Sequence, residues 1–152
     1  MMQQLIEDTI TYDPDTGLFK WLDNYRKHAK GWFKGTSTNK YLEISINGKK
    51  YYTHRLAWYL MYGRFPKNFI DHKNGIPTDN RLSNLREATP LQNNQNSTGR
   101  GASFNKQAKK WESRISVNKK DLFLGYFATE EEAHQAYVKG KKKYHPFWIE
   151  KE

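Results

Sequence analysis

The sequence predicts an α+β protein with N-terminal β-hairpins, a central strand–loop–strand–helix unit, and a C-terminal three-stranded antiparallel sheet packed on one helix. Three observations predict it. Period-two apolar alternation with tight-turn dipeptides recurs in the first third of the chain. The pattern changes to helical spacing after His54 and again after Thr129. A small, polar stretch, Asn96-Ser97-Thr98-Gly99-Arg100-Gly101, then separates two parts that each hold strands and a helix. The expected domains are residues 1–97, with a β-rich N-terminal extension, and 98–152.

Residues 1–53 read mostly as strand. Asp13-Pro14-Asp15-Thr16-Gly17 is a turn, because Pro fixes φ and Gly permits φ > 0. Leu18-Phe19-Lys20-Trp21 follows it. Asn24 to Asn39 is basic and contains glycine, and reads as a loop. In Tyr41 to Ile46, Leu42, Ile44 and Ile46 share one face, and Asn47-Gly48 suits a two-residue hairpin turn before a return strand over 49–53. From His54, Leu56, Tyr59, Leu60 and Gly63 fall at helical spacing, with Gly63 placed to end the helix and Pro66 beyond it. Phe69 to His72 is a short strand, 73–83 a polar loop containing Asn74-Gly75 and Asp79-Asn80, and Leu85 to Ala88 a second strand. Thr89-Pro90 supplies an N-cap and a first-turn proline for a helix to about Asn96.

Beyond the joint, Lys110 to Val117 and Leu122 to Phe127 are strands about a turn near 118–121, and Ala102 to Lys106 is a short third strand. Along 110–117, Trp111, Ser113, Ile115 and Val117 share one parity, and Lys110, Glu112, Arg114 and Ser116 the other. Thr129 with Glu132 is a capping box. The helix after it places Ala133, Ala136, Tyr137 and Gly140 on one face, and its lysines at 141–143 read as a solvated end.

Among the chain's 152 residues, 26 Lys and Arg face 16 Asp and Glu, for a net charge of +10. Such a surplus attracts a polyanion, nucleic acid being the commonest. The chain has no cysteine, which excludes disulfides and Cys-based zinc sites. Aromatics at 15% argue against disorder. No stretch approaches the ~20 apolar residues of a membrane span. Residues 1–10 carry acids and no apolar run, so a cytoplasmic protein with no membrane partner is expected.

The central unit carries the chemistry. Asp71 and His72 are adjacent in a strand, so their side chains point to opposite faces unless a twist or bulge intervenes. Asn93 sits in the following helix. Asp and Asn offer hard oxygen ligands suited to Mg²⁺ or Mn²⁺. A nearby imidazole takes a proton from water near neutral pH. One ion and one base are the minimum set for hydrolysing a phosphodiester. Asn94 and Asn96 compete with Asn93 for the ligand role.

Ile70-Asp71-His72-Lys73-Asn74-Gly75, Asp79-Asn80-Arg81, Asn84-Leu85-Arg86, Asn93 and Asn96 together resemble the HNH (ββα-metal) endonuclease family, in its phage and intron-encoded branch that includes homing endonucleases. His54-Arg55-Leu56-Ala57-Trp58 and the Gly63 to Pro66 stretch also look like that branch. The resemblance implies His72 as general base, Asp71 and Asn93 as ligands of one Mg²⁺ or Mn²⁺ per active site, and Asn84 as a structural brace of the loop between the strands. Arg55, Arg81 and Arg86 are candidate phosphate contacts.

Trp111 to Val117, Leu124-Gly125-Tyr126-Phe127, Thr129 to Ala133 and Ala136-Tyr137 resemble the Apetala-type (ethylene-response-factor-like) DNA-binding domain, although Gly101-Ala102 stands where that family usually has Gly-Val. That resemblance implies a sheet lying in the major groove, with Lys110, Arg114 and Ser116 on the DNA face and Arg100 beside it. The expected function is cleavage or nicking of double-stranded DNA, sequence-targeted, by a monomer or weak dimer, in the host bacterial cell if the gene is phage-borne. The alternative is a DNA-binding regulator with an inactive nuclease fold. RNA is a weaker third partner, since charge alone does not distinguish polyanions.

Overall fold

In the computed structural model, residues 2–23, 25, 30–38, 40–97 and 99–150 are described. The chain divides into two compact units, Met1–Pro90 and Leu91–Glu150. Each mixes helix and antiparallel sheet, as the α+β reading expects. The division falls at Pro90, ahead of the small-residue joint that composition marks.

The first unit opens with α1 (Met2–Glu7), β1 (Ile10–Asp13) and β2 (Leu18–Trp21). Asp13 organises the β1–β2 turn. Its carboxylate accepts from Asp15 N at 3.0 Å and from Thr16 Oγ1 at 2.7 Å, and its carbonyl accepts from Gly17 N at 2.9 Å. Gly17 has φ +73°, and a Cβ there would lie 2.6 Å from Arg81 N. The turn thus packs on the backbone of the loop that follows the central strand. Two local expectations fail here. The first residues form a helix, not a strand; six residues are too few to display a period. Within the presumed loop, Thr36–Thr38 is an edge strand, β3, specified by pairing with a distant partner. Positions 24, 26–29 and 39 of that presumed loop lie outside the described residues.

β3 pairs with β4 (Tyr41–Ile46), which pairs with β5 (Lys49–Tyr52) across Asn47 (φ 48°) and Gly48 (φ 76°). Both turn residues have positive φ, as a hairpin turn matched to strand twist requires. α2 (Thr53–Tyr62) follows at once and stops at left-handed Gly63, whose N–H donates to Tyr59 O. Ile10, Phe19, Ile44, Ile46, Leu56, Ala57, Tyr59, Ile70 and Leu85 form the core of this unit, each side chain nearly sealed from water. Burying each large apolar side chain is worth roughly 1.5–3 kcal/mol. β6 (Phe69–His72) and β7 (Leu85–Ala88) make a two-stranded antiparallel sheet with Asp71 opposite Arg86 and His72 opposite Leu85, and no register shift.

α3 (Pro90–Gln95) straddles the division, with only its proline in the first unit. In the second unit β8 (Ala102–Asn105), β9 (Lys110–Val117) and β10 (Lys120–Phe127) pair antiparallel in chain order, with a register shift between Phe123 and Gly125. α4 (Glu130–Tyr144) lies against this sheet. Its capping box is complete: Thr129 Oγ1 accepts from Glu132 N, and the Glu132 carboxylate accepts from Thr129 N. Ala133, Ser113 and Ile115 are buried between helix and sheet. Gly101 cannot carry a side chain, since a Cβ there would fall 1.9 Å from Cγ of Tyr137.

The expected solvated end of α4 holds for Lys142 and Lys143, which are exposed, and fails for the lysine before them. Lys141 is only 2% exposed. Its ammonium donates to Gln95 O at 2.8 Å and Ser97 O at 3.2 Å, and lies 5.4 Å from the centre of the Tyr137 ring. Carbonyls left without helical partners after α3 satisfy a buried cation, which no local pattern of lysines reveals.

Candidate active site

The β6–β7 hairpin brings the central candidates into order. Asp71, His72 and Asn84 are all buried. With regular pairing, Asp71 and His72 point to opposite sides of the hairpin, and no bulge redirects either of them.

Asp71 meets Arg86, its cross-strand neighbour. Arg86 Nε donates to Asp71 Oδ2 at 2.8 Å, and both side chains are largely buried. Such a pair holds the carboxylate in one orientation. Arg86, expected to contact phosphate, is thereby engaged within the protein.

His72 faces the other way, into aromatic surroundings. Its ring lies 5.4 Å from that of His54, edge on, and 6.3 Å from that of Tyr41. Nε2 is 3.1 Å from Asn80 Oδ1. Burial pushes the His72 imidazole below its ordinary pKa, opposed by the Asn80 hydrogen bond and the nearby Asp71 and Asp79 carboxylates. His54 is pushed down further, to about 3, by burial first and then by His72 and Arg55. Both imidazoles are therefore neutral at pH 7. His54 Nδ1 has no hydrogen-bond partner among the described residues.

Asn84 spans the loop between the strands. Its Nδ2 donates to Asp79 O at 2.8 Å, and its Oδ1 accepts from Asn74 N at 3.0 Å. Asn74 in turn donates to the Asp79 carboxylate at 2.8 Å. Asp79 also takes Arg81 through Nε and Nη2 at 2.9 and 2.6 Å, which lowers its pKa to about 2. Arg55 donates to Pro66 O and Asn68 O, both at 3.2 Å, and so ties α2 to the segment entering β6.

Asn80 is the residue that sequence reasoning missed. In Asp79-Asn80-Arg81 it reads as one more turn former. It is 2% exposed and bonded on every side: to His72, to Thr53 through Nδ2–H···Oγ1 at 2.8 Å, and through its carbonyl to the Tyr12 hydroxyl at 2.7 Å. Its partners lie in β1, α2 and β6, so only the tertiary structure assembles them.

The remaining candidates lie in the second unit. Asn93 is half-buried on α3 and Asn94 is exposed. Asn96, a competitor for the ligand role, is buried, and its Oδ1 accepts from Ile149 N at 3.3 Å. On the sheet, Lys110, Arg114 and Ser116 are exposed while Ser113 and Ile115 are sealed under the helix. Arg114 Nε donates to Glu112 at 2.6 Å, and its guanidinium lies 5.4 Å from the centre of the exposed Phe123 ring. Arg100 is exposed and its carbonyl lies 2.8 Å from His134 Nδ1. His145 is buried with Nε2 2.8 Å from Ser116 O.

Among the described residues no three His, Cys, Asp or Glu gather into a metal cluster. No helix there is long and apolar enough to cross a membrane.

Residues 51–95 match the family model described as HNH endonuclease. The matched stretch runs from β5 through α2, β6 and β7 to the end of α3. It includes Asp71, His72, Asn80, Asn84 and Asn93 and stops short of the C-terminal sheet. The match supports a nuclease function with DNA as substrate. No curated protein and no solved structure matches the chain.

Proposed function

We propose that the protein is a metal-dependent DNA endonuclease in which His72 is the general base and Asp71 and Asn93 hold one Mg²⁺ or Mn²⁺. The observation that carries this reading is His72 itself: a neutral, buried imidazole next in sequence to a buried, oriented carboxylate, inside the stretch that matches nucleases. A neutral imidazole is the form a general base needs.

The donor chemistry fits a hard divalent ion. Such ions are commonly held by one or two protein oxygens plus substrate phosphate and water, so one ordered carboxylate suffices as anchor in the first unit. Asn93, on α3, is the second oxygen donor in this reading. When bound, the ion neutralises charge building on the scissile phosphate and leaving oxygen. The protein's own part is to orient and deprotonate. His72 accepts the proton of an attacking water, Arg86 keeps Asp71 aimed, and Asn84 prevents the 74–79 loop from drifting.

Target choice belongs to the C-terminal unit in this reading. The exposed face bearing Lys110, Arg114 and Ser116 reads duplex DNA in the manner of the Apetala-type sheet, with Arg100 on the backbone. The whole is then a sequence-targeted enzyme of the phage or mobile-element homing kind, acting as a monomer or weak dimer. One observation favours the regulator reading instead: Arg86 already neutralises the carboxylate that the ion needs.

Supercoiled plasmid bearing candidate sites, incubated with Mg²⁺ or Mn²⁺, separates the two. The nuclease reading expects nicks or breaks that chelation abolishes and that His72→Ala slows by about 10²–10⁴. Equal cutting by wild type and His72→Ala would remove His72 from the chemistry. Tight binding to a cleavage-resistant site, with no cutting under either ion, would establish the regulator.

A further inference from the structure

The hydrogen bonds around Asn80 have a direction that can be read from one end. Leu42 O is a carbonyl and only accepts, so the Thr53 hydroxyl, 3.1 Å away, must donate to it. A hydroxyl has a single proton. Thr53 Oγ1 is therefore an acceptor toward Asn80, and the Asn80 atom 2.8 Å from it must be the amide nitrogen. That leaves Asn80 Oδ1 facing His72, and an amide oxygen only accepts. The partner nitrogen, Nε2 at 3.1 Å, must carry a proton. Thr53 is fully buried and Asn80 nearly so, which leaves water little chance to reverse the chain.

We infer that Asn80 is a positioning residue, anchored by Thr53 on Leu42, that fixes His72 as the Nε2–H tautomer and so makes Nδ1 the nitrogen that takes the proton. The inference rests on the reading of His72 as general base and adds which nitrogen acts and what selects it. The bond also restrains rotation of the ring. Asn80 itself is held independently of its side chain, because the Tyr12 hydroxyl donates to its carbonyl. Replacing the side chain therefore leaves the loop tethered.

The test reads the tautomer directly, without metal or DNA. ¹⁵N spectra of the histidine-labelled full chain, taken where the ring is neutral and assigned through His72→Gln, are expected to show protonated Nε2 and bare Nδ1 in the wild type. Asn80→Ala is expected to give a mixture of tautomers. Asn80→Asp keeps an acceptor, and the Thr53 hydroxyl can turn to donate to it, so this variant is expected to retain Nε2–H. In cleavage assays Asn80→Ala should lower kcat on the order of 10–100-fold with KM for DNA unchanged, and Asn80→Asp should recover most of it. Should Asn80→Ala fail to fold, Thr53→Val breaks the anchor instead and should also mix the tautomers. Protonated Nδ1 in the wild type, or an unshifted tautomer in every folded variant, would overturn the inference. Failure of the nuclease reading looks different: His72→Ala would cut as fast as wild type while the tautomer still followed Asn80.

Discussion

Two buried histidines make acid the condition to which this fold is most exposed. The ordinary imidazole pKa is 6.5, and burial takes His54 to about 3 in the folded protein and His72 downward as well. Between those values the unfolded chain binds protons that the folded one refuses. The stability carried by these neutral rings is full above pH 6.5 and is lost as pH falls from 6.5 toward 3. Each ring contributes a slope of at most about 1.4 kcal/mol per pH unit. Urea midpoints measured from pH 7 to pH 4.5 should fall, and His54→Gln should flatten the decline; an unchanged slope would contradict the burial argument. A second residue-scale prediction concerns Arg86. Arg86→Ala leaves the Asp71 carboxylate buried without its cross-strand cation and should cost about 3 kcal/mol in chemical denaturation. Arg86→Met, which keeps the packing, should cost no less if the charge is what matters.

At the level of elements, the β1–β2 turn supports the loop that carries Asn80. Leu82 N donates to Pro14 O at 2.9 Å, the Tyr12 hydroxyl reaches Asn80 O, and Gly17 touches the Asn80–Arg81 peptide. Gly17→Ala would need a residue at φ +73° with its methyl 2.6 Å from backbone. It should destabilise by more than about 1 kcal/mol and lower cleavage as well, whereas Gly48→Ala, at a similar φ but facing open space, should affect stability alone. Thr129→Ala should cost about 1 kcal/mol through loss of the α4 cap, readable as a lower midpoint of unfolding. These cases also show what a sequence discloses. The Thr129–Glu132 cap, the Asn47-Gly48 turn and the Gly63 stop were legible because each depends on residues within a few positions of one another. β3 and α1 were not, because the first needs β4 and the second is too short to show a period. Of the site, Asp71 and His72 stood out as adjacent chemistry-bearing residues in a strand, and Asn84 through the family resemblance. Asn80 was hidden, since a turn-forming asparagine and one that bridges Thr53 and His72 look alike until the chain is folded.

At the scale of the molecule, a net charge of +10 makes salt the control on any DNA complex. Affinity should fall steeply and linearly in log–log terms, with each phosphate contact contributing about 0.9 to the slope on duplex. Arg114→Ala should weaken binding and alter sequence preference, while loss of slope with unchanged preference would mark Arg114 as a phosphate contact instead. The second unit also holds its own first helix in place. Lys141→Met removes donors from the Gln95 and Ser97 carbonyls and should cost about 1–3 kcal/mol. Amide exchange in α3 should rise more than exchange in β9.

The glycine-bearing joint looks like the natural place to cut and recombine this gene, and Lys141 argues that it is not. A chimera spliced there would inherit α3 from one parent and, from the other, the ammonium that Gln95 and Ser97 await, together with the Ile149 amide that Asn96 receives. Unless the two parents agree at those positions, the graft begins life with a frayed α3. Exchange of the C-terminal unit between related chains would then succeed mainly when the seam lies upstream of Pro90, so that α3 travels with the helix whose lysine holds it.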